Sequence, residues 1–190
     1  MARSKSAPSL AAIDPIDEDD NVLAVIETPR GTRTKLTYDE KLGAFAVTKV
    51  LPQGMTFPFD FGFIPSTKGG DDDPVDVLVL MDEALPTGTV VATRLVGVIE
   101  AEQTERDGSV ERNDRLIGVA VKSRLYENVE SLKELNDTLV DEIEHFFVSY
   151  NEAKGKIFAP QKRSGPKRAD SLVREGEGRF KAAHRKKKRR

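Results

Sequence analysis

A cluster of carboxylates runs straight into an apolar strand. Residues Gly69 to Leu80 read GGDDDPVDVLVL, which places Asp71, Asp72, Asp73 and Asp76 within six residues. Pro74 fixes the backbone at the strand entrance, and Val75, Val77, Leu78, Val79 and Leu80 anchor the strand itself, so Asp76 rides on a rigid element. Carboxylates this close repel one another strongly at the low effective dielectric of a cleft, and the pattern calls for a cation to neutralise them. Hard oxygen donors favour Mg²⁺ or Mn²⁺, and Mg²⁺ is usually held by one or two carboxylates with waters and phosphate oxygens completing its shell. A calcium loop of the EF-hand type is excluded, because the alternating ligands, central Gly and closing Glu are missing. A merely solvated acidic loop stands as the alternative to a metal site.

The rest of the composition frames a single domain with tails. A chain of 190 residues can bury a sizeable core, and no apolar run approaches the length that crosses a bilayer. Cysteine is absent, which excludes disulfides and thiolate metal sites. Without an N-terminal apolar signal segment the expected setting is cytoplasmic, with no membrane partner. The net charge of −2 hides an asymmetry, since Arg179 to Arg190 alone contain eight Lys or Arg and leave −10 on the remainder. That basic end is either a solvated tail or a contact for polyanions such as nucleic acid or polyphosphate.

Periodicity orders the elements. Met1 to Asp20 read as disordered, residues 21–178 as the folded domain, and 179–190 as the basic tail. Strands are expected at 22–27, 34–38, 45–51, 75–81, 90–102 and 111–121, with an Asp107-Gly108 turn making a long hairpin of the last two. The pattern then changes to helical spacing from Asp137 to Tyr150, with Asn136 as N-cap, and a second helix is expected from about Ala169. His145 reads as a packing residue within the first helix. Short strands followed by helices predict an α+β, mainly β fold, with helices packed outside a small barrel.

In this context the chain resembles the soluble family I inorganic pyrophosphatases. Their signature is Asp, a small residue, Asp, Pro, an apolar residue and Asp; Asp71 to Asp76 match it, with Asp72 in the usual glycine place. The likeness extends to VIETP at 25–29, Lys35, Gly43-Ala44, FPFDFGFIPST at 57–67, VGVIE at 96–100 and HFFVSY at 145–150. It covers roughly Asn21 to Ile157 in the family's order. The resemblance implies a closed, OB-like barrel of five strands, a homo-oligomer, and Mg²⁺-dependent hydrolysis of inorganic diphosphate, with Mn²⁺ as a possible substitute. It implies Asp71, Asp73 and Asp76 as metal ligands, Asp73 also as general base, Glu27 as a further ligand, and Lys35 and Tyr150 as phosphate-binding groups.

Departures from the pattern are equally specific. Thr37 replaces a Glu, Lys49 replaces a phosphate-binding Arg, Phe57 and Phe61 replace two tyrosines, and Asn151 replaces the Lys after the helix tyrosine. On the hairpin the family's two Asp and one Lys fall on Gln103, Asn113 and Arg115, the last as a substrate-binding cation. A one-residue shift or bulge presents Glu102 and Asp114 instead and restores two metal-facing carboxylates. Cross-strand charge pairing on a solvated hairpin is the other reading of these acids. Inward carboxylates favour the diphosphatase. Outward ones favour a non-hydrolytic module that binds phosphate-rich ligands or nucleic acid.

Overall fold

The computed structural model describes residues 9–188 and is built around one long strand. Among the described residues nine strands run as β1 (Val22–Thr28), β2 (Thr34–Asp39), β3 (Ala44–Val50), β4 (Asp60–Phe63), β5 (Asp76–Leu80), β6 (Val90–Thr104), β7 (Val110–Arg112), β8 (Arg115–Ala120) and β9 (Ile157–Ser164). Two α-helices, α1 (Asp137–Glu152) and α2 (Pro166–Lys188), and two short 3₁₀ turns accompany them.

Strand pairing closes on itself. The order β1-β4-β5-β8-β6 is completed by a β1–β6 pairing, so five strands form a ring of the kind expected. At fifteen residues β6 outlasts the ring, and its far half pairs with β7 and β9. The β2–β3 hairpin forms a separate two-stranded sheet. All pairings in the ring are antiparallel except β5–β8, where Val77 lies opposite Leu116. That register brings the heads of the two strands, Asp76 and Arg115, side by side.

The alternation of β5 explains its unbroken apolar run. Leu78 and Leu80 face a core shared with Phe57, Phe61, Ile117, Val119 and the α1 residues Val140, Ile143 and Phe147. Val77 and Val79 face the other way, into a core with Ile26, Leu95, Leu116 and the α2 residues Ala169, Leu172 and Val173. Helix α1 begins where Asn136 accepts a hydrogen bond from Thr138 N at 2.9 Å, and it buries Val140, Ile143, Phe147 and Tyr150 at helical spacing. No helix among the described residues is long and apolar enough to cross a membrane.

Several boundaries differ from expectation. Ala11 sits buried in a 3₁₀ turn against Val25 and Phe63, and Ile16 bridges to Val22, so structure begins well before residue 21. Met1 to Pro8 lie outside the described residues. The division at 178/179 falls inside α2, which stays helical to Lys188 because Gly176 is held by packing: its carbonyl accepts Lys68 N at 3.0 Å, and an added Cβ would meet Val75 at 3.0 Å. Strand β4 lies within the aromatic FPFDFGF run, and β9 tolerates Pro160 because it is an edge paired only to β6.

Ring closure is tightest where β1 crosses β4. A Cβ built on Gly62 would lie 2.0 Å from the Val25 carbonyl oxygen, a backbone atom that cannot swing aside. Gly62→Ala is therefore expected to lower stability by about 3 kcal/mol or more in urea unfolding. A loss under about 1 kcal/mol would show that the ring yields at this point.

Candidate active site

The acidic loop is shaped by its own side chains and by α2. Asp71 accepts a hydrogen bond from Asp73 N at 3.2 Å, and Gly69 N donates to the Asp73 carbonyl at 2.5 Å. Asp72 adopts φ 71°, the left-handed conformation that favours glycine, which accounts for the family's small residue here. Thr67 Oγ1 accepts from Val75 N at 3.0 Å and donates to the Ile64 carbonyl at 2.6 Å, fixing the entry into β5. Arg179 of α2 donates to the Lys68 carbonyl at 2.7 Å and braces the loop from outside.

A cleft of about 860 Å³ opens in front of this loop. Asp71, Asp73, Asp76 and Glu27 all line it, and Lys35, Arg115, Tyr150, Lys154 and Lys156 bring positive or hydrogen-bonding groups to the same space. Glu27 is buried; it accepts Tyr38 N at 2.7 Å and pairs with Lys35 at 3.4 Å. The Lys35 ammonium also stands 4.0 Å from the centre of the Phe61 ring. Phe57 and Phe61 pack with Tyr150 and Phe147 as an apolar floor, so the two missing tyrosine hydroxyls are replaced by packing.

Burial and the crowding of negative charge act together on these carboxyls. Lost hydration, then the charges of Asp76 and Asp73, push the Asp71 carboxyl up to about 6 against the opposing pull of Arg115. Asp73 is raised by the same desolvation and by Asp76 and Asp72, and burial raises Glu27 despite Lys35. Burial pushes the Tyr150 hydroxyl up to about 12, keeping it a proton donor. Lys154 moves the other way, down to about 7, through burial and then the neighbouring cations Lys49, Arg115, Lys156 and Lys35.

The hairpin departs from expectation. Glu102 is exposed, opposite Arg112 in the β6–β7 ladder, and does not line the cleft. Asp114 turns to the outer side, accepting Ala101 N at 3.1 Å and Arg112 Nε at 2.7 Å. No shift or bulge brings these two carboxylates inward, because the ladder keeps Gln103 opposite Glu111 and buries Gln103 and Asn113 toward the cleft. Arg115 is present in the cleft, but its guanidinium is engaged by Asp76 rather than standing free. Lys49 lies just outside, in an adjoining hollow of about 480 Å³ shared with Lys35, Tyr150, Lys154 and Lys156. Among the described residues no three His, Cys, Asp or Glu side chains converge tightly enough to hold an ion unaided.

Sequence reading missed Lys154 and Lys156. Asn151 is fully buried and donates to the Phe147 carbonyl at 2.9 Å, so its side chain is lost to the cleft. Lys154, one turn later, places its ammonium 3.9 Å from the centre of the Tyr150 ring and fills that gap. Lys154 sits in the turn after α1 ends at Glu152, so helical periodicity gave no signal for it.

The raised Asp71 carboxyl has a definite pH signature. In the native state it holds its proton to a higher pH than in the unfolded chain, so its contribution to stability falls as pH rises from about 4 to about 6. In chelator-treated protein, wild type is expected to lose stability across that window relative to Asp71→Asn in paired urea titrations. Parallel curves would contradict the assignment.

The chain's kinship agrees with this geometry. Residues 24–181 match the family model described as inorganic pyrophosphatase. An inorganic pyrophosphatase of Thermus thermophilus is 38% identical over 132 residues, covering 70% of this chain and 73% of its own. One from Nanoarchaeum equitans is 32% identical over 163 residues, covering 84% and 98%. The crystal structure of inorganic pyrophosphatase from Thermus thermophilus superposes with a TM-score of 0.83 at 33% identity, covering 92% of this chain and 99% of that one. A closed ring of five strands, an Asp-rich strand entrance facing lysines across a cleft, and matches over most of the chain together place this protein in the inorganic pyrophosphatase family.

Proposed function

We propose that the cleft hydrolyses inorganic diphosphate to two phosphates with Mg²⁺ at its acidic wall, Mn²⁺ serving as a substitute. The observation that carries this reading is the opposition of Glu27, Asp71, Asp73 and Asp76 to Lys35, Tyr150, Lys154 and Lys156 across one cleft. The donor set fits a divalent cation: all four side chains offer hard carboxylate oxygens, and burial followed by the charges of neighbouring carboxylates raises Asp71 and Asp73. Mg²⁺ needs only one or two carboxylates per ion and takes its other oxygens from water and phosphate, so it does not require the convergence of three acidic side chains that the described residues lack. Glu102 and Asp114, being off the cleft, are not in the proposed set.

A bound divalent cation supplies Lewis acidity and a water ionised near neutral pH. Asp73, at the cleft face of the loop and raised from the ordinary carboxylate range, takes the proton of the attacking water. The water oxygen bonds to one phosphorus, the bridging P–O bond breaks, and its electron pair stays on the departing phosphate. Lys35 and Lys156 bind phosphate oxygens, while the Tyr150 hydroxyl, protonated throughout the neutral range, donates to the leaving side. Lys49 at the outer edge serves incoming substrate rather than the reacting atoms. A homo-oligomer and a cytoplasmic setting are part of the proposal, the former supported by exposed Leu42, Val47 and Val50 around the β2–β3 hairpin. The basic end of α2 is proposed as a weak polyanion contact.

The direct test is phosphate release from diphosphate while Mg²⁺ is titrated. Asp73→Asn is expected to reduce metal-dependent turnover by about 10²–10⁴-fold. Absence of turnover by folded wild type with either metal would overturn the hydrolytic reading in favour of the binding module. Lys154 gives a second, independent readout. It gains a positive charge as pH falls through about 7, so phosphate inhibition is expected to strengthen from pH 8 to pH 6 more steeply in wild type than in Lys154→Met. Equal steepness would remove Lys154 from the phosphate site.

A further inference from the structure

The inner wall of the hairpin is a continuous hydrogen-bonded chain. Arg115 Nη1 donates to Asp76 Oδ2 at 2.5 Å, to Asn113 Oδ1, and to the Asp114 carbonyl at 3.2 Å. Asn113 Nδ2 donates to Gln103 Oε1 at 3.2 Å, Gln103 Nε2 donates to Glu105 at 2.6 Å, and Glu105 accepts Lys156 at 2.5 Å. Both amide oxygens and both carboxylates in this network already accept a hydrogen bond from protein. Arg115 is 4% exposed, and its guanidinium lies against the adjoining rings of Phe147 and Phe158, at 5.0 and 5.5 Å from their centres. Its Nε is buried without a partner, and Asp76 is the only carboxylate among its acceptors in the described residues.

A guanidinium so confined is a permanent cation on the metal-binding wall. We infer that Arg115 occupies the place of a divalent ion between Asp76 Oδ2 and Asn113, leaving Asp76 only its other oxygen for metal, so that the site binds fewer metal ions than its carboxylates would otherwise attract. Arginine suits this use because its charge is never titrated away and its planar fork holds direction, whereas a hydrated ion on Asp76 would have to displace it. The register of β5 and β8 makes the arrangement intrinsic to the fold, since the two residues head adjacent parallel strands. Asn113 and Gln103 then act as neutral spacers: a carboxylate at either position would compete with Asp76 for the guanidinium. This inference rests on the reading of the cleft as a divalent-metal site.

The test counts ions rather than turnover. Bound Mn²⁺ is measured by electron paramagnetic resonance on wild type, Arg115→Gln, Arg115→Lys and Lys156→Gln, each checked for folding by circular dichroism. The expected result is one additional Mn²⁺ in Arg115→Gln alone. Arg115→Lys keeps the wild-type count because the charge is retained, and Lys156→Gln tightens binding without adding an ion because it frees no oxygen of Asp76. An unchanged count in Arg115→Gln overturns the inference and leaves the metal site standing. Failure of every protein to bind Mn²⁺ overturns both. Should Arg115→Gln not fold, ¹⁵N-arginine spectra of wild type decide: the Arg115 guanidinium protons are expected to remain slow in exchange at saturating Mg²⁺, and their release would overturn the inference.

Discussion

Negative charge held at the entrance of a buried strand is the constraint around which this molecule is arranged. Asp76 cannot retreat, because Val77 to Leu80 are packed on both faces of β5. Asp71 and Asp73 cannot spread apart, because Thr67, Gly69 and α2 set the loop that carries them. Glu27 is kept inward by the Tyr38 amide. Lys35 and Arg115 pair with Glu27 and Asp76, while burial and then the neighbouring carboxylates leave Asp71 and Asp73 raised, a condition that a bound cation would relieve.

The phosphate side is assembled by different means. Its cations come from β2, from the end of α1 and from the approach to β9, elements that share no regular pattern and meet only across the cleft. Replacement of tyrosines by Phe57 and Phe61 exchanges hydrogen bonding for an apolar floor that lowers the local dielectric beneath Lys35. Loss of a lysine at 151 is offset by Lys154, held against the Tyr150 ring. On the phosphate side the departures thus change which residues supply positive charge, whereas on the hairpin neutral Gln103 and Asn113 stand where the family pattern has carboxylates.

Legibility in the sequence tracked the range of the interactions involved. The acidic loop, its strand, the Asp107-Gly108 turn and α1 with its Asn136 cap were readable because each depends on neighbours a few residues away. Strand β4 was missed although Phe57, Phe59, Phe61 and Phe63 alternate with Pro58, Asp60 and Gly62, because Pro and Gly are weak strand formers and the pairing with β1 and β5 exists only in the closed ring. The hairpin carboxylates Glu102 and Asp114 looked usable because a one-residue slip reverses every side chain, and only the ladder decides between the two faces. Taken alone, their outward placement favours a binding module; the intact acidic wall and the family membership carry greater weight.

From its order of residues alone the chain determined where carboxylates, prolines, glycines and apolar runs fall, and therefore the metal-seeking strand entrance and the family likeness. Tertiary structure decided which distant groups share the cleft. Asp76 and Arg115 are 39 residues apart, and their contact exists because β5 and β8 are parallel and in register. Tyr150 and Lys154 face Asp71 and Asp73 because the buried stripe of α1 docks against the core beneath the cleft. Local patterns encode local geometry, whereas the meeting of opposite walls depends on ring closure and packing, which no short stretch of sequence contains.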